Sequence, residues 1–125
     1  LWIVGASSGI GEHLVYNACK EKANTIVISS RRIEQLNRVK DNAKKFNDKS
    51  NIIVIPLDLK KISRYNDAKD AKDFMEKEFN RNGIKVSDVD YLVLNAGVTQ
   101  RGAGVYTKTD VMRQLIDINC IGVTV

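Results

Sequence analysis

The sequence predicts an α/β fold with a parallel sheet, and three observations near its amino end carry the prediction. A short apolar run, Leu1 to Val4, ends in a glycine-rich turn. A segment of helical periodicity follows, and Thr25 to Ile28 then forms a second apolar run. The apolar stripe of the predicted helix consists of Ile10, Leu14, Val15, Ala18 and Cys19. Strand, turn, helix and strand make a βαβ unit, whose connection is almost always right-handed.

The turn has the glycine spacing G-x-x-x-G-x-G, at Gly5, Gly9 and Gly11. Before a helix, such a turn presents backbone N–H groups to a dinucleotide pyrophosphate. Gly5 suits the tight turn, Gly9 lets the backbone approach the phosphates, and Gly11 lets the helix lie close to the sheet. Ser7 and Ser8 add hydroxyl donors. An ordinary turn explains a glycine triplet alone, but the βαβ context favours the dinucleotide site. No Gly-Lys-Ser/Thr follows, which excludes a P-loop.

The residues after the second strand bear on the choice of dinucleotide. NAD-binding units place an acid about 20 residues beyond the glycines, where it binds the ribose hydroxyls. Here the strand is followed by Ser30, Arg31 and Arg32, without a carboxylate. A guanidinium holds a 2′-phosphate, which an acid would repel. The alternative is a pair of solvated arginines in the next helix, where the helix dipole disfavours cations. The sequence therefore predicts NADP(H), and the missing acid also counts against a methyltransferase.

Helices and strands continue to alternate along the rest of the chain. A second helix is predicted with the apolar face Ile33, Leu36, Val39, Ala43 and Phe46. A third helix is predicted around the apolar residues Ala68, Ala71, Phe74, Met75 and Phe79. Residues 51–57 form a third strand, residues 89–94 a fourth, and residues 80–88 a loop between helix and strand. A fourth helix begins near Thr109 with the apolar face Val111, Leu115 and Ile118. Pro56 cannot donate to a ladder and so belongs at a sheet edge. We therefore expect one domain, 1–125, with a doubly wound sheet of strand order 3-2-1-4.

Polar and small residues come after the third and fourth strands, at the edge of the sheet where a cofactor would lie. Asp58 either caps a turn or helix or lies beside an adenine. Asn95, Ala96 and Gly97 form a small-residue turn, whose backbone lets a flat cofactor pass closely.

These motifs resemble the short-chain dehydrogenase/reductase family, and the resemblance covers the whole chain. The run Gly5-Ala-Ser-Ser-Gly-Ile-Gly11, with Ile10 in it, is similar to the cofactor loop of that family. Asp58, followed by Leu59, resembles the acid that contacts the adenine in that family. Asn95-Ala-Gly97 resembles the Asn-Asn-Ala-Gly turn of the family. Asn119 resembles the asparagine of its catalytic tetrad. The segments at Leu57-Asp-Leu59 and Gln100-Arg101 are most similar to the dehydrogenase/reductase member 7 branch, near the hydroxysteroid dehydrogenases.

The resemblance implies a Rossmann-type NADP(H)-dependent oxidoreductase that transfers a hydride between nicotinamide and a carbonyl or secondary alcohol. It implies a small, steroid- or retinoid-like substrate and a homo-oligomer in the full-length form. Asn119 would position a helix and a water in the proton path. The alternative for Asn119 is a buried residue that ends a helix before Gly122. A non-catalytic dinucleotide-binding or regulatory module and a plain interaction domain remain as alternative functions.

The chain departs from the pattern of that family in three places. Val4 replaces a threonine whose hydroxyl ties the first strand towards the fourth, and Leu94 replaces the first asparagine of the turn. The sequence also stops at Val125, before the position of the serine and the Tyr-x-x-x-Lys pair of the family. Tyr16 and Lys20 have the pair's spacing but lie on the first helix, where we expect a solvated surface. We therefore expect this chain alone to be inactive.

Composition excludes several other functions. Net charge is +5, of which +4 lies between Arg31 and Lys49, but no aromatic residues interleave there to stack on nucleic acid bases. Clustered metal ligands are absent, and the single His13 is expected at the surface. Cys19 and Cys120 lie on apolar helical faces, which predicts buried thiols in a reducing compartment. The expected location is the cytoplasm, or the cytoplasmic or ER membrane if an anchor precedes Leu1.

Overall fold

The computed structural model describes residues 1–65 and 68–124. Its strands are β1 (Trp2–Val4), β2 (Thr25–Ser30), β3 (Asn51–Pro56) and β4 (Leu92–Leu94). They form one sheet in the order β3-β2-β1-β4, and every neighbouring pair is parallel. The predicted α/β class and strand order are confirmed. Pro56 is the last residue of the edge strand, as its missing N–H requires.

Helices cover both faces of the sheet. They are α1 (Gly9–Lys20), α2 (Ile33–Lys44), α3 (Leu59–Ile62), α4 (Ala68–Arg81) and α5 (Thr109–Ile116). A π-helical turn, Asp117–Ile121, continues α5 and leads into a last helical turn, α6 (Gly122–Thr124). Short 3-10 turns lie at Val86–Asp88 and Gly104–Tyr106.

The alternation of side chains along the strands produces two cores, one on each face of the sheet. Ile3 and Ile28 point to the face covered by α1 and α2, where they pack with Val15 and Leu36. The opposite core contains Trp2, Val27, Leu57, Phe79 and Ile118. The Trp2 ring meets the Phe79 ring edge-on at 4.9 Å, and its Nε1 donates to the Ser29 hydroxyl at 2.9 Å. Both polar groups are thereby satisfied inside the core.

Several predicted details of α1 and α2 are wrong. The predicted stripe of α1 is wrong at Ile10, which is 74% exposed, and it lacked Gly11, which is buried. Its members Val15 and Cys19 are buried, and Leu14 and Ala18 are half-buried against the same core. Because Gly11 has no side chain, that face of the helix packs closest to the sheet. Tyr16 is half-buried rather than solvated, since its ring lies 5.4 Å from the Phe46 ring. Ile33 and Phe46, at and beyond the ends of α2, are about half exposed.

The element bounds also differ from prediction in the second half of the chain. Helix α3 was not predicted as a separate element, β4 covers only the last three residues of its predicted range, and β2 runs two residues further. Helix α4 continues to Arg81 and a 3-10 turn occupies residues 86–88, so the predicted loop is shorter. Cys120 is exposed, not buried: it comes two residues, or about 200° of helical rotation, after Ile118, which faces the core.

Candidate functional site

A cavity of about 380 Å³ lies at the carboxyl ends of the strands. Open α/β sheets bind ligands at this edge. The predicted site residues that line it are Gly5, Ser7, Ser8, Ser30, Arg31, Arg32, Asp58, Leu59, Asn95, Ala96 and Gly97. Gly9, Ile10, Gly11 and Asn119 are not among its lining residues. Four apolar residues also line it: Val4, Leu57, Val98 and Ile118. Val4, Leu57 and Ile118 were named from the sequence for other reasons, and Val98 was missed because no motif marks it.

The glycine turn is attached to both neighbouring strands. The N–H groups of Gly5 and Ala6 donate to the Ser29 carbonyl of β2 at 2.7 and 3.2 Å. On the other side, Asn95 donates its backbone N–H to the Val4 carbonyl at 3.0 Å and its Nδ2 to the Gly5 carbonyl at 3.2 Å. Asn95 thus supplies the connection between β1 and β4 for which Val4 lacks a hydroxyl.

Two glycines of the turn have different physical roles. Gly9 has a φ of +60°, which favours glycine, and a Cβ placed there would meet nothing within 4 Å. A Cβ on Gly11 would lie 2.7 Å from Asn95 Nδ2 and closer still to the Gly5 carbonyl oxygen. Gly11 therefore permits α1 to pack against the turn, as predicted, whereas Gly9 leaves open space at the amino end of the helix.

Two arginines give one side of the cavity a positive charge. Arg32 Nη2 donates to the hydroxyls of Ser7 and Ser8 at 3.0 and 2.9 Å, and its backbone N–H donates to the Ser30 hydroxyl at 3.1 Å. Arg31 is exposed and lines the same cavity. Neither Arg31 nor Arg32 forms an ion pair with any of the described residues. The end of β2 therefore holds two cations that are available to an anion.

Asp58 combines two of its predicted features. Its Oδ1 accepts from the Lys60 N–H at 3.0 Å, so it caps α3. The half-buried carboxyl also lines the cavity beside Leu59. The capping bond orients the carboxyl, and contact with an adenine stays a prediction.

Asn119 lies in the π-helical turn and is exposed, so it is not the buried helix-ending residue of the alternative interpretation. Its Oδ1 accepts from the Val98 N–H at 2.8 Å, and its Nδ2 donates to the Val98 carbonyl at 2.8 Å. The side chain thereby joins the end of α5 to the loop that follows Gly97. The geometry makes Asn119 a residue that positions this loop.

Sequence reasoning missed a polar network behind the glycine turn. Arg38 of α2 donates to both carboxylate oxygens of Glu12 at 2.8 and 2.9 Å, and its Nη2 lies 3.4 Å from the Ser7 carbonyl oxygen. The Tyr16 hydroxyl donates to Glu12 Oε1 at 2.5 Å. The bonds from Arg38 and Tyr16 hold the pKa of Glu12 below its ordinary value. Burial and the bond to Glu12 raise the pKa of Tyr16. Only the (i, i+4) spacing of Glu12 and Tyr16 is a local signal of this network.

No Tyr-x-x-x-Lys pair lines the cavity within the described chain. Tyr16 belongs to the network behind the turn. A second pair with this spacing, Tyr65 and Lys69, was missed in the sequence, but Tyr65 packs towards the core with its ring 6.1 Å from Phe74. Neither tyrosine is placed to meet a substrate in the cavity.

The remaining predictions concern His13, Cys19, metal binding and the membrane. His13 is exposed, as expected. Cys19 is buried, and this burial raises the pKa of its thiol. Within residues 1–65 and 68–124, no three His, Cys, Asp or Glu side chains are grouped to hold a metal ion. None of the described helices combines the length and the apolar character that crossing a membrane requires.

Comparisons with known proteins relate the chain to one family. The family model described as short chain dehydrogenase matches residues 1–125. Dehydrogenase/reductase SDR family member 7 of Homo sapiens is 37% identical over 124 residues, which cover 98% of this chain and 33% of that protein. An 11-beta-hydroxysteroid dehydrogenase of Pinus massoniana is 35% identical over 96 residues, which cover 77% of this chain and 24% of that protein. The chain thus spans a third or less of the length of these relatives.

A solved structure shares the fold. It is an alcohol dehydrogenase from the archaeon Thermococcus sibiricus, complexed with 5-hydroxy-NADP. The match has a TM-score of 0.74 at 20% sequence identity and covers 97% of this chain and 47% of that one.

Proposed function

The chain belongs to the short-chain dehydrogenase family, and from this premise we propose that it forms the cofactor-binding half of an NADP(H)-dependent oxidoreductase. The observation that carries the choice of NADP(H) is the pair Arg31 and Arg32 at the end of β2. Both line the cavity, and Arg32 is held against the glycine turn by Ser7 and Ser8. A 2′-phosphate at this position would receive charge-assisted hydrogen bonds from a guanidinium.

Three features in and beside the cavity support the binding of a dinucleotide. Gly9 leaves open space at the N-terminus of α1, where backbone N–H groups and the helix dipole favour a pyrophosphate. Asp58 and Leu59 flank the cavity at the end of β3, where they would contact the adenine. Ala96 and Gly97 leave room for a flat ring past the end of β4. The solved archaeal alcohol dehydrogenase that shares this fold is complexed with 5-hydroxy-NADP, which supports a cofactor of this class.

The proposed reaction is hydride transfer between nicotinamide and a carbonyl or secondary alcohol. When bound, the cofactor supplies or accepts the hydride. The residues of this chain bind and orient it, and Asn119 positions the loop after Gly97 through Val98. By resemblance to the family, a serine would polarise the carbonyl and a tyrosine and lysine would move the proton, and we assign none of these roles to a residue of this chain.

We propose a steroid-like or retinoid-like substrate and a homo-oligomeric protein, and the names of the relatives support the steroid class. Dehydrogenases of 11-beta-hydroxysteroids are among those relatives. An apolar lining from Val98 and Ile118 suits such a ligand at the cavity end near Gly97.

The test is turnover by the complete protein that carries this chain. Purified protein is mixed with NADPH and a panel of ketosteroids, retinal and small aldehydes, and loss of NADPH absorbance is followed. We expect consumption that depends on both enzyme and carbonyl compound. Binding of NADPH without turnover of any member would favour the non-catalytic dinucleotide-binding module. Binding of neither NADPH nor NADH would contradict both functions.

A further inference from the structure

An ion pair behind the cavity links α2 to the first turns of α1. Arg38 binds the Glu12 carboxylate through two parallel hydrogen bonds, and its Nε donates to Gln35 Oε1 at 2.9 Å. The Glu12 side chain is only 15% exposed, whereas that of Arg38 is 44% exposed. Neither residue lines the cavity, and the two side chains bind each other on the side of the glycine turn that faces α2.

The position of Glu12 creates an electrostatic problem for a dinucleotide site. Glu12 lies three residues beyond Gly9, which is about 4.5 Å along the axis of α1. The Arg38 Nη2 that binds Glu12 Oε2 also lies 3.4 Å from the Ser7 carbonyl oxygen, so the carboxylate lies within the screening length, about 8 Å at physiological salt, of the glycine turn. A diphosphate bound at that turn and the carboxylate would repel each other. A bidentate guanidinium cancels the charge of the carboxylate and fixes its direction.

The same guanidinium also reaches the glycine turn itself. Its Nη2 lies 3.4 Å from the Ser7 carbonyl oxygen, while Arg32 donates to the Ser7 hydroxyl. Two arginines, one at the start of α2 and one within it, thus converge on the two oxygens of Ser7. Arg32 approaches from the cavity side and Arg38 from the side of Glu12.

We propose that Arg38 is a positioning residue for the dinucleotide: it neutralises Glu12 and holds the glycine turn at Ser7 ready for the pyrophosphate. The inference rests on the proposed function. A clamp that only joins α1 to α2 is the competing explanation. The two differ in their consequences, because a mere clamp is broken equally by removing either partner, whereas a charge problem appears only when Arg38 is removed and Glu12 remains.

The experiment compares the dissociation constants of NADPH and NADH for the complete protein and its Arg38→Gln, Glu12→Gln and double variants. We expect Arg38→Gln to weaken both dinucleotides by the same factor, about tenfold, since the pyrophosphate is common to both. Because Glu12→Gln leaves the charge of Arg38 uncompensated, we expect it to bind both dinucleotides at least as tightly as the starting protein, and we expect the double variant to recover most of the lost affinity. Lys44→Gln, which removes one charge from the exposed last turn of α2, is the matched control and should bind normally.

Thermal unfolding of each variant separates binding from folding. If Arg38→Gln does not fold, Arg38→Lys replaces it, and adding Glu12→Gln to that variant should not weaken binding further. Normal binding by folded Arg38→Gln would overturn the inference, as would equal losses in both single variants and the double variant. A loss confined to NADPH would also overturn it, since it would assign Arg38 to the 2′-phosphate. If the starting protein binds neither dinucleotide, the proposed function itself fails, which is a different result.

Discussion

Asn119 and Val98 are joined by two hydrogen bonds that run in opposite directions, each 2.8 Å long. The side-chain amide of Asn119 hydrogen-bonds to both the N–H and the C=O of Val98, as a residue on a neighbouring β-strand would. It does so from a π-helical turn, a local irregularity that is frequent at functional sites. Both amide atoms are committed to Val98, so Asn119 acts on the cavity through the loop that follows Gly97.

The first prediction concerns that pair of bonds. Asn119→Asp keeps an acceptor for the Val98 N–H but places a second oxygen against the Val98 carbonyl. We expect faster hydrogen exchange of the Val98 amide and a lower kcat in the complete protein. Asn119→Ala removes both bonds and should cost about 1–2 kcal/mol of local stability, at roughly 1 kcal/mol for each bond. Unchanged exchange at Val98 in both variants would show that the amide does not hold the loop.

The second prediction separates the two roles of glycine in the turn. Gly11→Ala puts a Cβ against the Gly5 carbonyl and Asn95 Nδ2, so it should lower the free energy of unfolding by several kcal/mol. Gly9→Ala meets no neighbour, and its left-handed backbone costs about 1–2 kcal/mol. The folded Gly9→Ala protein should nevertheless bind NADPH poorly, because its new methyl group occupies the pyrophosphate side.

Chemical denaturation and cofactor titration on the same samples check both parts. Equal stability of the two variants would contradict the packing role of Gly11. Normal NADPH affinity of folded Gly9→Ala would make the segment an ordinary turn.

The third prediction is a pH dependence of stability. The pKa of Glu12 is lowered in the folded protein, chiefly by the hydrogen bonds from Arg38, and its ordinary value is 4.5. A lowered carboxyl pKa stabilises the fold above the unfolded value, and this contribution is lost as pH falls through the folded pKa. The free energy of unfolding should therefore fall below about pH 4.5 more steeply in the starting protein than in Glu12→Gln. Parallel pH profiles for the two proteins would contradict the assignment.

The sheet and the position of the cavity were predictable because they depend on local patterns. The apolar runs in the sequence correspond to β1 and β2. Gly11 indicates that α1 packs closely, and Pro56 indicates an edge strand. Most of the buried face of α1 was predictable from periodicity, but a count of apolar residues included Ile10 on that face, where Gly11 packs instead. The exposure of Cys120 was open to prediction, because two residues of helix place it roughly opposite the buried Ile118.

The polar contacts of the site were less accessible to sequence reasoning. Arg31 and Arg32 line the cavity, because residues directly after a parallel strand lie at the carboxyl edge of the sheet, and their contact with a cofactor stays a prediction. The pairing of Glu12 with Arg38 spans 26 residues and depends on how α1 packs beside α2. Periodicity within one helix carries no information about such a contact.

The most direct measurement is the affinity of the complete protein for NADPH against NADH, with and without Arg31. We expect tighter binding of NADPH, and we expect Arg31→Ala to lose about 1.5–3 kcal/mol of NADPH binding, or roughly 10- to 150-fold in dissociation constant, with NADH unaffected. Lys44→Gln is the control: it also removes one cation, but Lys44 does not line the cavity, so both affinities should be unchanged. Loss in Arg32→Ala alone would move the 2′-phosphate contact to Arg32. Equal affinity of the unaltered protein for NADPH and NADH would contradict the account.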